Sequence, residues 1–557
     1  MNSLDSAPRA TRAWGVAAWI GSILCTVFLV MIAMVSAQGT AQATHAVIAP
    51  AVTLDQGTLA GIRFGGSPEN AAFLGIPYTA QPVGNLRWRP PEPAPTWKGV
   101  RNATQFGPAC PQTPGGWWPE MLGRKQLVTN EACLYLNVWT TNLSGAQKVP
   151  VMVWIHGGGN VEGSGEIPPL GPALAEQGVV VVSLNYRLGA FGFFAYPALS
   201  AESRQHVSGN YGLMDQVAAI QWVRRNIRRF GGDPSQITVF GASSGSLDIC
   251  NLMASPQAAG LFQQAILQSG VCVDSVFPTL RQAEANDDRL ASDLGIQQAS
   301  NGALALAALR KLPAELILQA AAHDPEIDLE PAVDGWFFRE QPAVTFTQGR
   351  QVKIPVMVGS NADEISIFAS PIVGGTSYRP KTVAEYRQWL RQRFHGFAEQ
   401  MFAAYPARTD SEVPAVFRRM DTDFDFGYGA RLMAREMARI EPSTYLYRFT
   451  YVGAGEFAPL GAFHMEPSMF LSKIYWPGWV RRPYDATLSR ILIGYWIRFA
   501  KTGNPNGAGL PAWSAYNPKT DECQELGVRI GPERVPRADR FAVFDADLAF
   551  RLKKAEP

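Results

Sequence analysis

Histidine and cysteine are the scarcest chemically useful residues in this chain, with six of each among 557 residues. No two histidines or cysteines stand at ligand spacing, so a metal centre is not expected. Charge is sparse too: Asp, Glu, Lys and Arg make up 17% of the residues and the net charge is +2. Basic runs are absent, which argues against a nucleic-acid partner. No internal repeat or long low-complexity tract is visible. No linker rich in Pro, Gly or Ser divides residues 50–550. The length allows several domains, but an uninterrupted body of this kind reads as one large unit.

Long apolar runs are limited to one, Trp14 to Val35. Arg9 and Arg12 precede it, and the small, polar stretch SAQGTAQATHA follows. The triplet Ala41-Gln42-Ala43 suits a signal-peptidase site, and Val35-Ser36-Ala37 is a second candidate. The expectation is a signal peptide over 1–43 and an exported domain over 44–557. The alternative is an uncleaved membrane anchor through 14–35, since a run of about 22 residues is long enough to span a bilayer. Membrane contact is expected only in that case. Cys25 lacks the small preceding residues that a lipoprotein site needs. Cleavage would leave Cys110, Cys133, Cys250, Cys272 and Cys523. Export permits disulfides, and the odd count leaves at least one thiol free or paired between chains.

Several short runs read as strands covered on both faces: VMVWI (151–155), VVVVSL (179–184), ITVF (237–240), QAILQ (264–268) and IPVMV (354–358). TYLYRF (444–449) reads as another. Leu213, Val217, Ile220, Val223 and Ile227 recur at helical spacing, and Gly231-Gly232-Asp233-Pro234 stops that helix. Strand alternating with helix predicts an α/β fold with a large, mostly parallel central sheet and helices on both faces. Residues 275–345 break the rhythm with helical sequence and read as an insertion over the sheet. TLSRILIGYWIRFAKTG (487–503) is a further helix.

In an open parallel sheet, ligand sites form beyond the carboxyl ends of the strands. After VMVWI come His156, Gly157, Gly158 and Gly159. After ITVF comes Gly241-Ala242-Ser243-Ser244-Gly245, a G-x-S-x-G pentapeptide. After IPVMV come Asp363 and Glu364, and beyond TYLYRF comes His464. The four strand ends are expected to converge on one rim. Gly241 and Gly245 bracket Ser243, as a sharp strand-to-helix turn requires, which makes Ser243 the exposed nucleophile and leaves Ser244 to offer its backbone N–H. Ser246 has no such bracket. A serine nucleophile needs a base, and the base needs an orienting acid. Elimination among the six histidines favours His464. The acid stays open between Asp363 and Glu364. Gly157 to Gly159 suit an oxyanion hole, since glycine allows backbone N–H groups to approach a developing negative charge. No Lys-Ser/Thr follows them, which ranks a phosphate loop low.

These motifs, with FLGIPYTAQPVGNLRWRPP, CLYLNVWT, NYRLGAFGFFAYP, GLMDQVAAIQWVRRNIRRFGGDPSQITVFGASSG, LFQQAILQSG, DEISIF and YWIRFAKTGNPNG, resemble the type-B carboxylesterase family, which includes the cholinesterases. The likeness covers nearly everything after residue 50. It implies a single α/β-hydrolase domain, helical insertions over the active site, and hydrolysis of small-molecule carboxylic esters without a cofactor. By position it implies Ser243 as nucleophile, Glu364 as acid and His464 as base. It likewise implies Gly158, Gly159 and Ser244 as oxyanion donors. It further implies a Cys110–Cys133 disulfide and two structural ion pairs, Arg87–Glu131 and Arg187–Asp215. Cys250 and Cys272, near the elbow helix and the next strand, are a further candidate pair.

The chain departs from that family pattern in places. Ala242 stands where a glutamate is usual, which makes choline esters less expected. Ile365 replaces the glycine that follows the acid. Asn160 ends the oxyanion loop where an aromatic residue is common. Trp117 and Trp118 do not align with the choline-stacking position. The leading expectation is a secreted serine esterase. A thioesterase or amidase would use the same triad, and an adhesion-type binding protein would have lost it.

Overall fold

Among the described residues eleven strands form one sheet. They are β1 (Ile62–Arg63), β2 (Ala71–Pro77), β3 (Tyr135–Thr140), β4 (Val149–Ile155), β5 (Val180–Leu184), β6 (Gly232–Ala242), β7 (Gln264–Gln268), β8 (Val356–Asn361), β9 (Thr444–Phe449), β10 (Glu522–Leu526) and β11 (Ile530–Arg534). Their spatial order is β11-β10-β9-β8-β7-β6-β4-β5-β3-β2-β1. Neighbours from β5 through β10 run parallel. The outer pairs, β1–β2, β2–β3, β3–β5 and β10–β11, are antiparallel. A separate small sheet holds Ala51–Leu54, Gly57–Ala60 and Val100–Asn102. The molecule is described as a computed structural model over residues 49–113, 126–166, 170–296, 302–324, 327, 329–370 and 379–555. The expected signal peptide, and Trp117 and Trp118, lie outside these described residues.

The central strands are apolar throughout because both faces are covered. Side chains alternate across a strand. Val151, Val153 and Ile155 of β4 therefore join one core, with Leu213, Ile220 and Val223 of the helix Tyr211–Asn226. Met152 and Trp154 join the other, with Leu488, Leu492 and Trp496 of the helix Pro483–Thr502. The helix Tyr211–Asn226 closes through a tight turn, Ile227–Phe230, onto Gly231 at φ 82°. A left-handed backbone there ends the helix and is cheap only for glycine.

Two differences from the sequence reading bear on function. The fifth apolar run, read as 354–358, is shifted: β8 spans Val356–Asn361 and carries Gly359, Ser360 and Asn361 inside the sheet. Polar residues are tolerated there because Asn361 Nδ2 donates to the Phe463 carbonyl at 2.6 Å. A second helical insertion, between β8 and β9, was not anticipated. It comprises Val383–Phe394, Ala398–Ala404, Val413–Thr422 and Tyr428–Ala438, with a π-turn at Asp423–Gly427. Its sequence signal is the helical spacing of Tyr386, Leu390 and Phe394, all buried. The first insertion is tied to the body through Leu290, Leu309 and Ile317, which belong to the same core as the helix Tyr211–Asn226. By its contacts Pro50–Pro557 forms one unit. Among the described residues no helix is long and apolar enough to cross a membrane.

Candidate active site

Strand β6 ends at Ala242 and the helix Ser244–Ala254 begins two residues later. Ser243 makes the turn at φ 58°, ψ −132°. That conformation is strained for a residue with a Cβ and is held only if its surroundings enforce it. The enforcement is visible. The Ser243 N–H donates to Gln268 O of β7 at 2.8 Å. A Cβ on Gly241 would lie 2.7 Å from Ile155 O, and one on Gly245 would run into the carbonyls of Ile155 and His156. Both glycines therefore let the helix press against β4, and Ser243 is pushed outward. It is half-buried and lines a cavity of about 1310 Å3. Gly159, Asn160, Ser244, Phe277, Leu329 and Phe426 are among the other walls. Ser246 is instead fully buried, and its hydroxyl donates to Gly270 O at 2.5 Å.

β8 ends at Asn361, and the turn that follows places Glu364 in the interior with no exposed surface. Glu364 Oε1 accepts the Asn361 N–H at 2.6 Å, and Oε2 lies 2.6 Å from His464 Nδ1. His464 is equally buried, and its Nε2 has no hydrogen-bond partner among the described residues. Its ring packs against Phe368 and Phe426, with centroids 5.1 and 5.0 Å away. Phe426 thus touches the imidazole on one side and lines the Ser243 cavity on the other. Asp363 goes elsewhere: its N–H donates to Ala462 O at 2.9 Å, and its Oδ2 accepts the Ala462 N–H at 3.2 Å.

Gly158 and Gly159 follow β4 at φ 115° and 62°. Both values lie where only glycine is comfortable. Neither N–H enters a backbone hydrogen bond among the described residues. Ser244 opens its helix, so its N–H is one of the orphan donors of the first turn. His156, just before these glycines, is buried and stacks on Tyr186 at 4.4 Å. Burial pushes its pKa down to about 4, which keeps it neutral.

The other residues singled out in the sequence are placed as follows. Cys110 and Cys133 form one disulfide, Cys250 and Cys272 another, and Cys523 is a buried free thiol. Burial pushes the Cys523 thiol well up, so it is no nucleophile. Arg87 binds Glu131 through two contacts of 2.5 and 2.7 Å, and Arg187 binds Asp215 through two of 2.7 Å. The Arg87 guanidinium also donates to the carbonyls of Leu309 and Leu312, fastening the first insertion. Burial raises the Asp215 pKa even with Arg187 beside it. Among the described residues no group of three or more His, Cys, Asp or Glu side chains is arranged to hold a metal.

Sequence reasoning passed over Asp248, Asn361, Phe426 and Glu466, which surround these groups. Asp248 had a visible signal: it is the one charged residue in the helix SGSLDICNLMA. A charge in so apolar a helix marks a buried carboxylate with polar partners.

A model of the carboxylesterase family matches residues 48–542. The chain belongs to the carboxylesterase family. This carboxylesterase is 38% identical over 476 residues to a fumonisin B1 esterase of Sphingopyxis macrogoltabida, covering 82% of this chain and 84% of that one. It is 34% identical over 501 residues to a para-nitrobenzyl esterase of Bacillus subtilis, covering 85% and 95%. A solved PNB esterase superposes with a TM-score of 0.74 at 32% identity, over 89% of this chain and 99% of that one. The fold is accordingly the α/β-hydrolase fold, and the activity is hydrolysis of carboxylic esters.

Proposed function

We propose that this carboxylesterase is an exported serine hydrolase in which Ser243 is the nucleophile, His464 the base and Glu364 the acid. One observation carries the reading: the buried 2.6 Å contact of His464 Nδ1 with Glu364, beside an Nε2 that has no partner among the described residues. Glu364 holds the imidazole in the tautomer whose Nε2 accepts a proton. His464 removes the Ser243 proton as the hydroxyl oxygen attacks the ester carbonyl. Gly158, Gly159 and Ser244 donate their N–H groups to the oxyanion. His464 then protonates the departing alcohol. Water repeats the cycle on the acyl-enzyme and releases the acid.

The cavity volume of about 1310 Å3 exceeds the roughly 300–1000 Å3 of common small-ligand sites. We take this to favour bulky esters. The disulfides suit an oxidising compartment, and Arg9, Arg12 and the following apolar run suit a signal peptide. Residues 44–557 would then be a single mature domain.

The test is a p-nitrophenyl ester series from acetate to palmitate, followed in the first turnover. A burst of one p-nitrophenol per active chain, with the acyl mass on the peptide containing Ser243, is the expected result. Acylation of another residue would overturn the assignment. Amino-terminal sequencing of the secreted protein checks the cleavage site.

A further inference from the structure

We infer that Asp248 is a positioning residue for the oxyanion loop, acting through the side chain of Asn160 to set where the N–H groups of Gly158 and Gly159 stand. The inference rests on the proposed role of those glycines.

Asn160 follows the two glycines with a left-handed backbone of its own, φ 60°. Four contacts hold it. Its N–H donates to Ser244 Oγ at 3.1 Å, and its carbonyl accepts the Gly189 N–H at 2.7 Å. Its Oδ1 lies 3.0 Å from the Tyr186 hydroxyl. Its Nδ2 donates to Asp248 Oδ1 at 3.0 Å. Two of these anchors, Ser244 and Asp248, belong to the helix that starts at the elbow. The loop proposed to bind the oxyanion is therefore registered against the element that carries the nucleophile.

Asp248 is fully buried, and its Oδ2 accepts Gln216 Nε2 at 2.5 Å. Asn160, Gln216 and the Tyr186 phenol are the groups that face it, from three different elements, and no cation is among them. A buried carboxylate without a counter-ion costs stability. Burial raises its pKa to about 7. Both oxygens accept hydrogen bonds in the structure, the pattern of the ionised form. The Gln216 Oε1 is buried without a partner among the described residues. A half-turn of that amide would give a protonated Asp248 an acceptor. The network therefore has two arrangements, and in the neutral one the bond to Asn160 loses its charge assistance.

Asp248→Asn reproduces the neutral arrangement in shape. It is expected to lower kcat about tenfold, with KM changed by less than about twofold, because the lost alignment matters only once charge develops. Asn160→Ala is expected to lower kcat by about 10- to 100-fold, and the double variant should be no slower than Asn160→Ala alone. The acidic limb of the wild-type kcat profile is expected to need two protons, one on the base and one on Asp248, and one proton in each variant. Multiplying losses in the double variant, or an unchanged two-proton limb in Asp248→Asn, would overturn the inference. If Asp248→Asn does not fold, the limb of Asn160→Ala decides in its place, a two-proton limb refuting the role. An active Ser243→Ala would instead refute the proposed function, which keeps the two failures apart.

Discussion

Glu364 Oε2 and His464 Nδ1 stand 2.6 Å apart in an interior from which solvent is excluded. Replacing Glu364, the proposed acid, by its amide in Glu364→Gln keeps the shape and removes the charge that would stabilise an imidazolium. The expected loss is in kcat, by about 10²- to 10⁴-fold, with little change in KM. Asp363→Asn should lower stability more than rate, since Asp363 Oδ2 braces the Ala462 N–H next to the base loop. Steady-state kinetics and urea unfolding on both variants check the contrast.

Ser243→Ala is expected to lower kcat by about 10⁴-fold or more. Ser246→Ala should retain most activity. It should unfold more readily, because its hydroxyl is buried on Gly270 O and its loss leaves that carbonyl unpaired. An inactive but folded Ser246→Ala would disprove the elbow reading.

The disulfides close loops of sequence separation 23 and 22. Removing either is expected to cost about 3.5 kcal/mol in the chain-entropy model, seen as a lower urea midpoint. Alkylation in denaturant without reductant should label Cys523 and leave Cys110, Cys133, Cys250 and Cys272 unlabelled. Mass spectrometry of the peptides reads this directly.

Glu466 is fully buried two residues after His464, and its Oε1 has no hydrogen-bond partner among the described residues. Burial holds its pKa well above the usual glutamate range, and Asp363 and Asp485 push the same way. The sign follows by linkage. A carboxyl whose folded pKa is raised contributes stability below its unfolded pKa of about 4.3, and this is lost as pH rises through the folded value. Glu466→Gln should therefore be close to wild type in mild acid and progressively more stable than wild type as pH rises. Urea midpoints between about pH 5 and 9.5 check it; a gap that closes on raising the pH would contradict the argument.

Six of the seven parallel strands at the centre were legible because burial on both faces leaves a mostly apolar run; the seventh, β10, was not, since Glu522, Gln524 and Glu525 interrupt it. The antiparallel edges were not. A strand such as β11, Ile530–Arg534, is partly exposed and short, and its sequence resembles a loop. The insertion over 383–438 was not read, since its helices bear many charges on their outer faces. At the site, the sharp turn at Ser243 was readable from its two glycines, because the steric need is local. His464, the proposed base, was reached by elimination. The acid was open between Asp363 and Glu364 until the family resemblance favoured one.

Determined by the sequence alone are the features that neighbours along the chain enforce. Gly241 and Gly245 compel a sharp turn at Ser243, and Gly158 and Gly159 permit backbone angles that other residues resist. Strand periodicity assigns each central side chain to a face. The tertiary structure alone decided the contacts between distant segments: Glu364 on His464 across 100 residues, Asn160 on Asp248 across 88, and Cys250 with Cys272. Such contacts depend on which strands lie side by side. The order β9-β8-β7-β6-β4 brings those segments to one rim, and this is a property of packing that no local pattern of residues encodes.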